Sequence, residues 1–121
     1  MNYDDNNIFA KILRGEIPCK KVYEDEFVLS FYDVNPRKKI HVLVIPKGKF
    51  VNLDHFNKNA SDKEIVGLIK GITLVANKLG ISFDKGEGYR TLSNISENGG
   101  QEVPHLHFHL FGGEKTGKMI S

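Results

Sequence analysis

Three histidines at alternate positions, His105, His107 and His109, stand in the segment NGGQEVPHLHFHLFGG between Asn98 and Gly113, with Leu106, Phe108 and Leu110 filling the places between and after them. On a strand, side chains alternate between faces. This spacing therefore sets three imidazoles on one side and three apolar groups on the other, with adjacent imidazoles about 6.5–7 Å apart. The apolar face belongs in a core and the imidazole face in a site. Imidazole is nucleophilic while neutral and has a reference pKa of about 6.5, so it can attack phosphorus near neutral pH and leave again from the resulting phosphoramidate. Gly99-Gly100 precede the histidines. A glycine loop lets backbone approach a ligand and turn N–H groups inward as an anion-binding nest, although the same pair alone reads equally well as a tight turn. Together the residues describe a phosphate site with a nucleophile beside it. His107, with an imidazole on either side, is the best placed to be oriented by its neighbours. Cys19 and the serines offer no comparable constellation.

Other chemistry fits the same histidines. Three imidazoles on one strand face could hold zinc with water as a fourth ligand. The pattern His107-x-His109 followed by Glu114 resembles the first metal-binding motif of cupins, but the tail beyond Glu114 is too short for the second, and the downstream Asp and His of β-lactamase-type metallohydrolases are absent. Another alternative is an adaptor that keeps a nucleotide pocket and acts by binding another protein.

These residues need a scaffold, and the rest of the chain supplies the signals for one. Asn7 to Gly15 reads as a short helix, with an Asn cap, Ile8, Phe9, Ile12 and Leu13 at helical spacing, Gly15 to end it, and Pro18 to prevent its resumption. Lys21 to Tyr23 and Phe27 to Tyr32 are strand-like arms around the acidic tip Glu24-Asp25-Glu26. Asp33 to Lys39 is a polar Asn-Pro turn, with Arg37-Lys38-Lys39 expected to be solvated. Ile40 to Ile45, stopped by Pro46, is a nearly continuous apolar run suited to a strand buried on both faces. From Asp62 to Leu79, apolar residues repeat at helical spacing between a Ser61/Glu64 capping box and a Gly80 stop. Gly67 and Gly71 share one face of that helix, consistent with close approach to another backbone or with simple tolerance. Tyr89 to Ser93 and His105 to Phe111 are the remaining strand-like stretches. The expected architecture is α+β: about five mostly antiparallel strands with one short and one long helix.

Composition agrees with this. A chain of 121 residues, 40% hydrophobic and 26% charged, is suited to one domain, here 1–121, with residues 1–7 expected as a flexible tail. Seventeen Lys and Arg against fifteen Asp and Glu leave +2, too little for a nucleic-acid or membrane partner by bulk electrostatics. A single cysteine excludes an intramolecular disulfide, and no apolar run has the length of an export signal or a membrane span. A cytoplasmic protein is expected.

Beyond these readings, HLHFHLF closely resembles the signature of the histidine triad (HIT) family, H-x-H-x-H with apolar residues between and after. The resemblance extends to IFAKILRGEIP, VYEDE, FYDVNP, IHVLVIPK and GGQEV, nearly the whole chain from Ile8 onward. It is similar to the branch of histidine triad nucleotide-binding proteins, or purine nucleoside phosphoramidases, more than to the dinucleoside polyphosphate hydrolases or nucleotidyl transferases of the family. The resemblance implies a homodimer whose two sheets join, binding a purine nucleoside monophosphate such as AMP or GMP in each subunit, with no cofactor required and zinc not expected in catalysis. It implies His107 as nucleophile, His109 on the phosphate, and His105 and His41 in the surrounding hydrogen-bond network. Asp33 matches the ribose-binding position, and Ile8, Phe9, Ile12, Phe31 and Val34 surround the base. Asn94, Gly100, Gln101, Glu102 and Val103 match positions lining the phosphate and leaving group. Two residues depart from the pattern: Glu102 stands where some members have Ser, and Pro104 where an aromatic is often found. A carboxylate at 102 repels a phosphate unless it points away or is protonated.

Overall fold

The computed structural model describes residues 2–120. The apolar run becomes β3 (Ile40–Pro46), buried almost throughout because neighbours cover both its edges and both its faces. β2 (Val28–Tyr32) pairs with it on one side and β5 (Phe108–Gly112) on the other; β1 (Lys21–Glu24) and β4 (Arg90–Leu92) are outermost. All four pairings are antiparallel, in the order β1-β2-β3-β5-β4.

Strand alternation divides the core in two. Val28, Val42, Val44 and Leu110 turn to the face covered by α3 (Asp62–Lys78), meeting Leu68, Ile72, Val75 and Ala76. Leu29, Phe31, Leu43 and Ile45 turn to the opposite face, under Phe9 of α1 (Ile8–Leu13). His41 shares its parity with Leu43 and His109 with Phe111, so both imidazoles lie on the α1 face.

The helix signals are realised. Asn7 caps α1 through its side chain, which accepts from the Ala10 N–H at 2.9 Å. Ser61 and Glu64 form the reciprocal capping box of α3. Gly67 and Gly71 are where α3 crosses β2 and the segment before it, but what they approach is side chains: a Cβ at 67 would lie 2.4 Å from Phe27 Cγ, and one at 71 would lie 3.0 Å from Val28 Cγ2.

Several details differ from the sequence reading. A third helix, α2 (Leu53–Asn59), was not expected, because LDHFNKN is mostly polar and shows only Leu53 and Phe56 as apolar spacing. Its available signal was Asn52, whose side chain accepts from the His55 N–H at 2.9 Å. The strand expected from His105 begins only at Phe108, because residues 103–107 lie outside the ladder: 103–105 bend, with the His105 N–H donating to the Val103 carbonyl at 2.9 Å, and the Leu106 N–H donates to the Phe50 carbonyl at 2.8 Å. β2 starts at Val28 because the N–H groups of Phe27 and Val28 both donate to Asp25 Oδ1, at 2.8 and 2.9 Å. Of the segment expected as a flexible tail, Met1 lies outside the described residues and Tyr3 to Asn7 fold back on the domain. Asn7 is buried, Asp5 pairs with Lys49 at 2.8 Å, and Tyr3 reaches His105.

Candidate active site

The antiparallel register of β3 and β5 opposes His41 to Phe111 and Leu43 to His109. This diagonal brings His41 Nε2 to 2.9 Å from His109 Nδ1. His107 lies one residue before β5, its ring 5.1 Å from that of His109 and edge-on to Phe9 at 4.9 Å. Its carbonyl accepts from Ser93 Oγ–H at 2.7 Å. Although the regular strand starts late, alternation persists upstream: Leu106 enters the α3-side core, while His105 and His107 face α1.

Backbone groups fix the protonation of three rings directly and of His109 through His41, because an N–H can only donate and a carbonyl can only accept. The Arg37 N–H donates to His41 Nδ1 at 3.2 Å, so the His41 proton is on Nε2 and is donated to His109 Nδ1. His109 consequently carries its own proton on Nε2. On the other branch, His105 Nε2–H donates to the Pro46 carbonyl at 2.9 Å, and His107 Nδ1–H donates to the His105 carbonyl at 2.7 Å. His107 Nε2 is left with a lone pair. The site therefore offers one unprotonated nitrogen and one N–H, on neighbouring imidazoles, neither with a protein partner among the described residues.

Burial keeps these rings neutral. It pushes His105 and His109 down to about 4, the latter helped by the adjacent His107 and His41. Burial also lowers His107, against the opposing pull of its bond to the His105 carbonyl and of the Asp33 and Glu102 charges. His41 is lowered by burial more than Asp33 raises it.

A cavity of about 180 Å³ opens beside the two imidazoles. His107, His109 and Leu43 line it with Phe9; Asp33, Asn35 and Arg37 form one rim, and Asn94, Gly100, Glu102 and Val103 the other. Of the residues expected around a base, only Phe9 reaches the cavity wall. Phe31 is buried edge-on to Phe9, Ile12 lines a separate hollow with Leu13 and Cys19, and Ile8 and Val34 are 46% and 89% exposed. Gln101 braces its own loop, donating to the Val51 and Val103 carbonyls and accepting from the Ser96 N–H. His41 and His105 stand behind the cavity, and His105 is fully buried.

The glycine loop also differs from an open nest. The Gly100 and Gln101 N–H groups are spent on Glu97 and Ser96 carbonyls, and Gly100 is required by its φ of 73°. The N–H groups of Glu102 and Val103 have no acceptor among the described residues. Asn35, Arg37 and Leu43 are wall residues that the sequence reading did not single out. Arg37 sat in a group read as solvated, and its place beside the cavity follows from the fold of the turn back toward His41.

Asp33, His41 and His109 hold donor atoms within 4.8 Å of one another. A cation there would need the His41 Nε2 lone pair, putting a proton on Nδ1 against the Arg37 N–H. The donor set thus matches a proton chain better than a metal centre.

Comparison with known proteins agrees with the geometry. The HIT domain family model matches residues 14–116. A 13.2 kDa HIT-like protein of Azospirillum brasilense is 52% identical over 98% of this chain and 95% of its own length. The purine nucleoside phosphoramidase of Escherichia coli K12 is 36% identical over 97% of this chain and 95% of its own. A HIT family hydrolase from Clostridium thermocellum superposes with a TM-score of 0.81 at 36% identity, covering 98% of this chain and 99% of that one. With a model match across most of its length and such relatives aligned nearly end to end, this chain belongs to the HIT domain family.

Proposed function

We propose that this HIT protein hydrolyses purine nucleoside 5′-phosphoramidates, or nucleotidylated amines, to the nucleoside monophosphate through a nucleotidyl-His107 intermediate. The observation that carries this reading is the pairing of an unprotonated His107 Nε2 with a protonated His109 Nε2 beside one cavity, both set by backbone hydrogen bonds. The similarity to a purine nucleoside phosphoramidase supports the substrate class.

In the first step His107 Nε2 attacks the α-phosphorus. The bond from phosphorus to the substrate nitrogen breaks, its electron pair stays with the nitrogen, and the departing amine takes up a proton from solvent. Attack makes the imidazole cationic, and the His105 carbonyl, already accepting from Nδ1–H, stabilises that charge. His109 Nε2–H and the free N–H groups of Glu102 and Val103 would hold the phosphoryl oxygens. In the second step a water oxygen bonds to phosphorus, its proton passes to solvent, and His107 Nε2 leaves with the lone pair it began with. Asp33 would take the ribose hydroxyls. The cavity is smaller than the about 300–1,000 Å³ typical of pockets enclosing a whole ligand, so it suits the phosphoryl group and sugar, with the base extending past Phe9 over exposed Ile8 and Val34. The scheme uses no metal or other cofactor.

The working unit is proposed to be a homodimer, which the outer edge of three-residue β4, unpaired among the described residues, supports. A cytoplasmic location is part of the same reading. Among the described residues, no helix is long and apolar enough to cross a membrane.

The test is turnover of adenosine 5′-phosphoramidate by chelator-treated protein, with His107→Ala alongside. Wild type is expected to retain activity and to yield an adenylyl adduct on rapid quench; the variant should lose about 10³-fold or more and form no adduct. Activity abolished by chelator and restored by zinc would overturn the histidine-nucleophile mechanism. AMP binding without any turnover would favour an adaptor.

A further inference from the structure

The nucleophilic segment is held from outside the sheet. Residues 103–107 take no part in the β ladder, so the position of His107 depends on individual anchors. Ser93 Oγ–H holds the His107 carbonyl, the Leu106 N–H is bound to Phe50, and the His105 ring is tied to the Pro46 carbonyl at the end of β3. The last of these has a second half. His105 Nδ1 faces the hydroxyl of Tyr3, and since Nε2 carries the His105 proton, Tyr3 O–H is the donor. The two rings also meet edge-on at 5.6 Å.

Tyr3 is itself fixed in place. Asn7 caps α1 and binds the Asp4 carbonyl through its side chain at 2.7 Å, the Asp4 carboxylate accepts from the Asn6 N–H, and Asp5 is gripped by Lys49 and by Arg14 through its carbonyl. These bonds turn the N-terminal segment into a strap across the end of the histidine segment.

We propose that Tyr3 is a positioning residue for His107, acting through His105. The Tyr3 hydroxyl satisfies the buried Nδ1 that would otherwise lack a partner. Pro46 sets the Nε2–H tautomer of this ring, and Tyr3 anchors its other nitrogen, so the ring is held at both ends and the His105 carbonyl stays aimed at His107 Nδ1–H. Without that donor the buried Nδ1 lone pair is unsatisfied and the ring is held at one end only, which loosens the carbonyl that orients the nucleophile. The effect on turnover rests on the nucleophilic role given to His107; the effect on the His105 Nδ1 signal does not.

The experiment is Tyr3→Phe, which keeps the ring and removes the donor, with Tyr3→Leu to measure the packing contribution. Long-range ¹H–¹⁵N spectra of the full chain should show the Nε2–H tautomer of His105 in both proteins, with its Nδ1 resonance moved downfield in Tyr3→Phe, as for an imidazole nitrogen that accepts no hydrogen bond. On adenosine 5′-phosphoramidate, Tyr3→Phe should lower kcat by about 3- to 10-fold, the scale of one lost hydrogen bond, with KM and AMP affinity within about twofold. An unchanged His105 Nδ1 resonance and unchanged kcat in Tyr3→Phe would overturn the proposal. So would a loss of kcat matched by an equal loss of AMP affinity and of thermal stability, which marks packing alone. If wild type turns over no phosphoramidate, the spectra still decide whether Tyr3 anchors His105.

Discussion

Each of the four imidazoles on the α1 face of the sheet is held neutral by burial, and the same burial makes the protein sensitive to acid. For His105 the folded form resists protonation until about pH 4, whereas the unfolded chain takes a proton near 6.5. Between those values the unfolded state binds more protons, so stability falls as pH is lowered from about 6.5 and levels off near 4. His105 alone contributes about 3 kcal/mol to that fall, and His109 works in the same direction. Urea melts across this window should record it, and His105→Gln should flatten the profile; a stability independent of pH from 6.5 to 4 would contradict the burial argument. The lowered His107 sets a related expectation for catalysis. Its neutral form is the nucleophile, so the acid limb of kcat/KM should lie below 6.5, where an exposed imidazole would set it. A limb at or above 6.5, measured on adenosine 5′-phosphoramidate, would oppose the assignment.

The elements that carry these residues are placed by small features of packing. Gly67 lets α3 settle against Phe27, since a Cβ there would meet Phe27 Cγ, Cδ2 and Cβ, the base of the side chain and not its movable end. Gly67→Ala should gain up to about 1 kcal/mol of helix propensity and lose more to overpacking, for a net destabilisation of about 1–2 kcal/mol. Thermal melting checks this, and a Tm equal to wild type would mean that Phe27 moves aside at no cost. Legibility in the sequence varied for local reasons. The capping box, the Asn7 cap and the apolar run of β3 were readable because their partners lie within a few residues or because burial leaves a continuous pattern. Helix α2 was not, because seven mostly polar residues carry too little periodicity to signal it. The upstream end of the histidine strand was misread for a different reason. Alternation reports which face a side chain takes, and it continues through Leu106 and His107 where the ladder hydrogen bonds have already stopped.

At the scale of the molecule, β4 is a three-residue strand at the rim of a five-stranded sheet, with its outer edge unpaired among the described residues. Edge strands are the natural place for a sheet to be extended by a second chain. Sedimentation at micromolar concentration should give twice the chain mass of 13.7 kDa, and a clean monomer would remove the homodimer from the proposal. The near-zero net charge does not conflict with an anionic ligand, because neutral imidazoles and amide N–H groups do not enter a Lys and Arg count. The residue types and their alternation by themselves determined that three imidazoles would share a face away from the apolar core, since that follows from strand geometry. Which nitrogen of each ring carries the proton was decided only by the tertiary structure. Those protons are set by the Arg37 N–H and the Pro46 and His105 carbonyls. The first reaches its ring because a turn folds back on β3, and the second comes from a strand end 59 positions away in sequence. The same holds for Tyr3, separated from His105 by 102 positions yet bonded to it in the fold.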